Sequence, residues 1–429
     1  MGWRSPDRYA PIFAGFFALW PIVAYMGAQG YTPGIALLAI CSLVFLPARY
    51  VIGFLIAVIT TVLVGLAAER LWGNSPDLIQ GSLASDSFKF DSASMRLVLT
   101  LLCSVPLCLA IRLQTSSPLS TKVIRWTVFV QGVGVAVTAI FLDQIIALIA
   151  PISDPSSVLQ NLLRNANAFL LVLPLLAAWA WHSNIKIAGR VTGTGLAIFA
   201  CLFALLAFIL TGSQAAVFGS IFAFVLCLIV WRMPRAGFRY IFTGIAGYIA
   251  FAPILLGLGL AQLRRIGLPL PESFISRSYS WELVGEKILE RPYYGHGPEA
   301  SKTWNDTYGD HPDWLAEIVR VNGLDSSWEQ AWSIYPVIPG HPHNMPLQIW
   351  AETGMFGAGA VAILCLIFAW KVWEPMEWPP VSRYALAGLI GAVLSLSSFS
   401  YSLWNEAFWA SVIIAIAAIW LQARQDDPV

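Results

Sequence analysis

Charge is scarce in this chain. Of its 429 residues only 11% are Asp, Glu, Lys or Arg, whereas 58% are hydrophobic, and the mean hydropathy is +0.69. Soluble globular domains carry roughly a quarter charged residues, so this shortage excludes a soluble protein and leaves a polytopic membrane protein. The net charge of +1 provides no basic excess for nucleic acid. Cysteine is sparse too. All six (Cys41, Cys103, Cys108, Cys201, Cys227 and Cys365) fall inside apolar runs, which excludes a disulfide framework and zinc-ligand spacing. No repeat recurs at the scale of 20 to 50 residues. The first apolar run follows Arg4, Asp7 and Arg8 but has no small-residue cleavage pattern, and many further runs follow it. It therefore reads as a span and not as a removable signal.

What is present is a series of long apolar runs. Crossing the hydrocarbon takes about 20 residues, and twelve runs qualify, at about 10–27, 32–48, 51–68, 97–112, 125–149, 167–181, 192–210, 214–231, 240–260, 346–370, 384–401 and 405–422. The fold expected is an all-α bundle of twelve transmembrane helices. An even number places both termini on one side. That side collects Arg4, Arg8, Arg49, Arg112, Lys122, Arg125, Lys186, Arg190, Arg232, Arg235, Arg239, Lys371, Arg383 and Arg424, against Asp7, Glu374, Glu377, Asp426 and Asp427. By the positive-inside rule both termini are then cytoplasmic. The chain divides into spans 1–9 over 1–260, an outward loop over 261–345, and spans 10–12 over 346–429. His182 falls on the cytoplasmic side as an interfacial residue.

The long loop holds His296, His311, His341 and His343, together with Trp281, Trp304, Trp314, Trp328 and Trp332. Disordered segments are poor in aromatics, so a folded cap is expected, with helices over 281–289 and near 313–321. It ends in His341-Pro342-His343-Asn344-Met345-Pro346, where polar loop turns into span 10. Proline is tolerated in a first helical turn, which puts the helix start at Pro346, the cap near Asn344 or Met345, and His343 just outside. The helix dipole disfavours an imidazolium there. A neutral His343 is thus a candidate general base, with Glu352 two turns on. The plainer reading of His341 and His343 is a locally hydrogen-bonded turn. A metal pair is disfavoured because His-Pro-His suits one ion poorly and no Cys or acidic cluster completes a shell.

Outward arginines oppose the positive-inside bias and call for a partner. They are Arg164, Arg264, Arg265, Arg277, Arg291 and Arg320. Arg264 and Arg265 directly follow a span and either snorkel to headgroups or fork a diphosphate. Arg277 lies one helical turn before Trp281, and Arg291-Pro292-Tyr293-Tyr294-Gly295-His296-Gly297 reads as a tight turn. Within the apolar runs, Asp143 is a functional candidate or an interhelical pair, and Gln214 sits at a short outward turn. Gly354, Gly357 and Gly359 permit close helix packing.

These residues carry a family resemblance. His343-Asn344, nine residues and then Gly354-x-x-Gly357 resembles the signature of the O-antigen ligases, a superfamily shared with O-antigen polymerases and protein O-oligosaccharyltransferases. Arg277-x-x-x-Trp281 and Pro292-x-x-Gly295-x-Gly297 resemble the pattern such proteins carry in the same loop. One departure stands out. Leu210-Thr211-Gly212-Ser213-Gln214 resembles a Leu-Thr-x-Ser-Arg stretch, with Gln214 at the arginine position. The resemblance implies a GT-C-like glycosyltransferase at the periplasmic face of the bacterial inner membrane. Its donor would be undecaprenyl-diphosphate-linked O-antigen, its acceptor lipid A-core, and its chemistry inverting, without metal or other cofactor. His343 would be the catalytic base, and Arg265, Arg277, Arg264, Arg164, Arg291, His341 and Asn344 the substrate contacts. A polymerase or a protein-glycosylating enzyme is the rival inside the superfamily. A lipid-linked glycan transporter is the rival outside it, disfavoured because the polar residues concentrate in one outward loop.

Overall fold

The computed structural model describes residues 8–69, 93–113, 118–182, 186–187, 190–266, 272–322, 326–371 and 377–423. Most of residues 69–96, between the third and fourth expected spans, lie outside them, as do the side chains of Arg264 and Arg265. The architecture is that of a polytopic, nearly all-helical membrane protein. Among the described residues nine helices are long and apolar enough to cross a bilayer, and shorter apolar helical stretches at Tyr9–Tyr25, Tyr31–Leu43 and Ala48–Leu63 stand at the first three expected spans. The described strands are the antiparallel two-residue pair Lys186–Ile187 and Arg190–Val191.

Two expected spans are divided. The run over 10–27 forms Tyr9–Phe17 and Trp20–Tyr25. The run over 125–149 forms Pro118–Ile140 and then, after a break at Phe141, a separate short helix Leu142–Ile149. Asp143 is therefore not buried within a span. It lies exposed in the first turn of the short helix, where a carboxylate meets the positive end of the dipole.

The helices Pro155–Trp181, Pro380–Phe399 and Glu406–Ala423 form the centre, while Gly193–Leu210, Gln214–Arg232 and Gly237–Leu260 have few buried residues. Leu, Ile and Phe of the outer helices remain exposed, as lipid contact requires. Inside, small residues allow backbones to approach. A Cβ on Gly391 would come within 2.6 Å of the Ala223 backbone, so any larger residue there would separate the two helices.

The loop segment is largely helical, with Glu272–Glu290, Pro312–Asn322 and Ser326–Ser333. The first begins nine residues before the expected 281–289 and the second covers 313–321. Tyr279, Trp281, Leu283, Val284 and Ile288 pack with Ile338, Leu347 and Ala351 in one apolar cluster. Tyr279 stacks on Trp314 at 5.0 Å between ring centres. This cluster clamps the loop onto the helix Met345–Lys371.

The connectors that precede even-numbered spans meet at one end of the bundle. Ser213 donates to Asn167 (3.4 Å), Asn167 to Tyr401 (3.5 Å), and Arg96 pairs with Glu406 (3.1 Å). At the other end Arg383 donates to the Pro234 carbonyl (3.4 Å) and Arg239 stacks over Trp370.

Candidate active site at the start of the Met345–Lys371 helix

The helix starts at Met345 with Pro346 in its first turn, as expected. Asn344 caps it, its Oδ1 accepting from the Leu347 amide at 3.0 Å. Its Nδ2 donates to the Tyr248 hydroxyl (3.0 Å) and to the Ser398 carbonyl (3.3 Å). The side chain is 1% exposed. Expected as a substrate contact, Asn344 here holds three elements together with its whole amide engaged.

His343 has φ of +51°, a left-handed conformation uncommon outside glycine. Its Nδ1 lies 3.1 Å from the Ser400 carbonyl oxygen. A carbonyl only accepts, so Nδ1 carries the proton and Nε2 of the neutral ring keeps its lone pair. The backbone N–H of His343 donates to Nδ1 of His341 at 3.1 Å, which puts the proton of His341 on Nε2. The two rings lie 4.1 Å apart between centres. Trp281 Nε1 donates to the Pro342 carbonyl at 2.9 Å, so the Glu272–Glu290 helix fixes the His-Pro-His segment from the other side.

Both imidazoles are held neutral. Burial pushes His341 down to about 3, with His343, Lys302 and Arg277 adding repulsion to its charged form. Burial also lowers His343, the Ser400 contact works in the opposite direction, and Arg277 lowers it further. Arg277, one turn before Trp281, is half-buried, and burial lowers its own pKa from the usual range. His341, His343, Asn344 and Arg277, four residues singled out in the sequence, thus form one constellation with a proton-accepting nitrogen beside a cation.

Behind it lies a carboxylate that the sequence marked only by position. Glu352 is fully buried. It accepts from Gln348 Nε2 (3.0 Å), Ser301 Oγ (3.0 Å), the Glu299 amide (2.8 Å) and Trp404 Nε1. Gln348 Oε1 in turn accepts from the Leu403 amide (2.8 Å) and Ser402 Oγ (3.3 Å). The turn that offers Ser400 to His343 is therefore tied through Gln348 and Glu352 to the loop. The sequence clue was the run Ser398-Phe399-Ser400-Tyr401-Ser402-Leu403-Trp404-Asn405, small hydroxyls between two apolar spans.

The Pro292-x-x-Gly295-x-Gly297 segment is more than a tight turn. Gly295 does close a turn onto the Arg291 carbonyl (3.1 Å), but the segment also hydrogen-bonds into the helix at Gly354. The amides of His296 and Gly297 donate to Ala351 and Glu352 carbonyls (2.9 Å each), and the Met355 amide donates to the Pro292 carbonyl (2.8 Å). Gly354 breaks the helix with φ +64° and ψ −167°. Backbone groups freed by the break thus find partners in the loop.

The remaining arginines fall elsewhere. Arg164 is half-buried, with Nη1 donating to Asn161 at 3.3 Å. It lines a cavity with Tyr401 and Asn405, and His343 is not among the lining residues. Arg291 is exposed where the Gly295 turn begins, and Arg320 is exposed on the Pro312–Asn322 helix. The backbone of Arg264 and Arg265 closes the Gly237–Ile266 helix. His296 donates from Nε2 to the Lys287 carbonyl (2.8 Å) and His311 stacks on Trp314 at 3.9 Å, which accounts for both as structural. Among the described residues no three His, Cys, Asp or Glu gather as a metal site would.

Comparison with known proteins finds a family match over this constellation. Residues 199–363 match a family model described as O-antigen ligase. The matched range runs from the span before Thr211 to beyond Gly357, and so includes Arg277, His341, His343 and Glu352. A Rickettsia conorii protein named "Putative polysaccharide ligase" is 27% identical over 176 residues. That alignment takes in 39% of this chain and 36% of the relative, so the chain spans little more than a third of that protein's length. No solved structure matches.

Proposed function

We propose that this chain, which carries the O-antigen ligase family domain over residues 199–363, transfers O-antigen polysaccharide from undecaprenyl diphosphate to lipid A-core. The transfer takes place at the periplasmic face of the bacterial inner membrane. The observation that carries the proposal is the contact of His343 Nδ1 with the Ser400 carbonyl (3.1 Å), which leaves Nε2 as a base beside Arg277.

The chemistry follows from that placement. An acceptor sugar hydroxyl gives its proton to His343 Nε2 as its oxygen bonds to the anomeric carbon of the donor. The bond from that carbon to the diphosphate oxygen breaks, and the electron pair leaves on undecaprenyl diphosphate. Arg277 stabilises the charge that grows there. Direct displacement inverts the anomeric centre. A base that is neutral at physiological pH needs no prior deprotonation, and a guanidinium supplies the counter-charge without a metal.

Deletion of the gene tests the reading. Loss of polymer-capped lipopolysaccharide with build-up of lipid-linked polymer is the expected result. Shortened chains still joined to lipid A-core would make the protein a polymerase, and unglycosylated protein with normal lipopolysaccharide would make it a protein glycosyltransferase.

A further inference from the structure

A second cation, Arg164, lines a cavity with residues of the connector that also orients the proposed base. The connector after the Pro380–Phe399 helix presents Ser400 to His343, and its residues Tyr401 and Asn405 line a cavity. Gln29, Arg164, Phe408 and Ser411 line it as well. Arg164 donates to the neutral Asn161, and among the described residues no carboxylate lies within ion-pair distance of it. A half-buried guanidinium at the end of a membrane bundle is costly unless an anion meets it. The other lining groups are hydroxyls, amides and aromatic or aliphatic surface. That mixture offers hydrogen-bond donors to a phosphate beside the guanidinium.

Two lipid substrates with anionic groups repel one another if they share a single cation. Arg277 acts on the imidazole pair from the loop side, and Arg164 stands on the side of the Tyr401–Asn405 turn. We infer that the cavity around Arg164, Tyr401 and Asn405 holds an anionic phosphate of the glycolipid acceptor, leaving Arg277 for the diphosphate of the donor. The inference rests on the transfer reaction proposed above. It assigns Arg164 to the acceptor, where the sequence alone counted it among the substrate contacts.

The test is equilibrium binding to the purified full-length chain in lipid nanodiscs, in a His343→Ala background so that turnover does not consume the ligands. The probes are lipid A-core, the same glycolipid after enzymatic dephosphorylation, and undecaprenyl diphosphate. Arg164→Gln is expected to weaken lipid A-core binding by about tenfold to a hundredfold, as loss of a charge-assisted contact does. Binding of the dephosphorylated lipid and of undecaprenyl diphosphate should not change. Arg164→Lys should keep part of the affinity, and it guards against a variant that fails to fold. Unchanged lipid A-core affinity in a folded Arg164→Gln protein overturns the inference. So does a loss confined to undecaprenyl diphosphate, which would return Arg164 to the donor. Persistent transfer by His343→Ala would defeat the proposed base while leaving these binding results interpretable.

Discussion

Gly295 and Gly354 cross backbone against backbone. A Cβ on Gly354 would stand 2.3 Å from the Tyr293 carbonyl, and one on Gly295 would stand 2.4 Å from the carbonyl carbon of Glu352. Both have positive φ, +67° and +64°. Alanine at either position meets backbone that has nowhere to go, in a conformation that L-residues avoid. Gly354→Ala and Gly295→Ala should each cost on the order of 3 kcal/mol or more. Thermal unfolding in detergent, read beside transfer activity, checks this; a variant with normal melting would mean that the crossing is loose.

The base predicts an unusual acid limb. His343 works as a neutral ring, and burial with Arg277 sets its folded pKa below the ordinary 6.5. The acid limb should therefore have its midpoint below pH 6.5, as Nε2 of the proposed base becomes protonated. The pH profile of kcat/KM for the purified protein measures it. His343→Ala should abolish transfer while membrane insertion persists, and His341→Ala should hurt less. An acid limb at or above 6.5 would argue against a buried base.

His341 gives a matching stability effect. Its folded pKa is about 3, against an unfolded value near 6.5. Between those values the unfolded chain binds a proton that the folded chain refuses, so stability drops as pH falls through that window. From pH 6.5 to 5 the drop from this residue is about 1–2 kcal/mol. Chemical unfolding at the two pH values, compared between the native chain and His341→Gln, isolates it; equal pH dependence in both would refute the assignment.

Arg277 should govern donor use. Arg277→Ala is expected to weaken dependence on the lipid-diphosphate donor by about tenfold to a hundredfold. Arg277→Lys should recover only part, because the ammonium keeps charge and loses the two-pronged geometry. Donor titrations at fixed acceptor separate the cases.

Chelation should leave transfer intact. Arg277 and the neutral His343 account for charge and proton without an ion. Full activity after EDTA is the expected result, and loss restored by one divalent cation would contradict it.

The sequence displayed the parts of this molecule that depend on side-chain type and hid those that depend on backbone. Twelve apolar runs were legible because lipid demands continuous hydropathy. The break at Phe141 was not, since the residues on either side of it remain apolar. Asn344 followed by Pro346 announced the helix start correctly. The group that orients His343 was invisible, because the Ser400 contact uses a carbonyl that any residue would offer. Gly295-x-Gly297 read as a local turn because its second partner lies more than fifty residues away, in a helix that hydropathy treats as uninterrupted. Glu352 was noted for its distance from His343, yet its four donors come from Gln348, Glu299, Ser301 and Trp404, three separate stretches of chain.

The Ser400 contact also sets an order on biosynthesis. The signature residues from Arg277 to Gly357 leave the ribosome before the turn that orients His343 has been made. Until the last two helices are inserted, Asn344 lacks the Ser398 carbonyl, Glu352 lacks Trp404, and the imidazole has nothing to select its tautomer. A nascent chain halted before residue 398 would display every motif of the family and no directed base. On the transfer reaction proposed above, the base is assembled only once the final helices are in place.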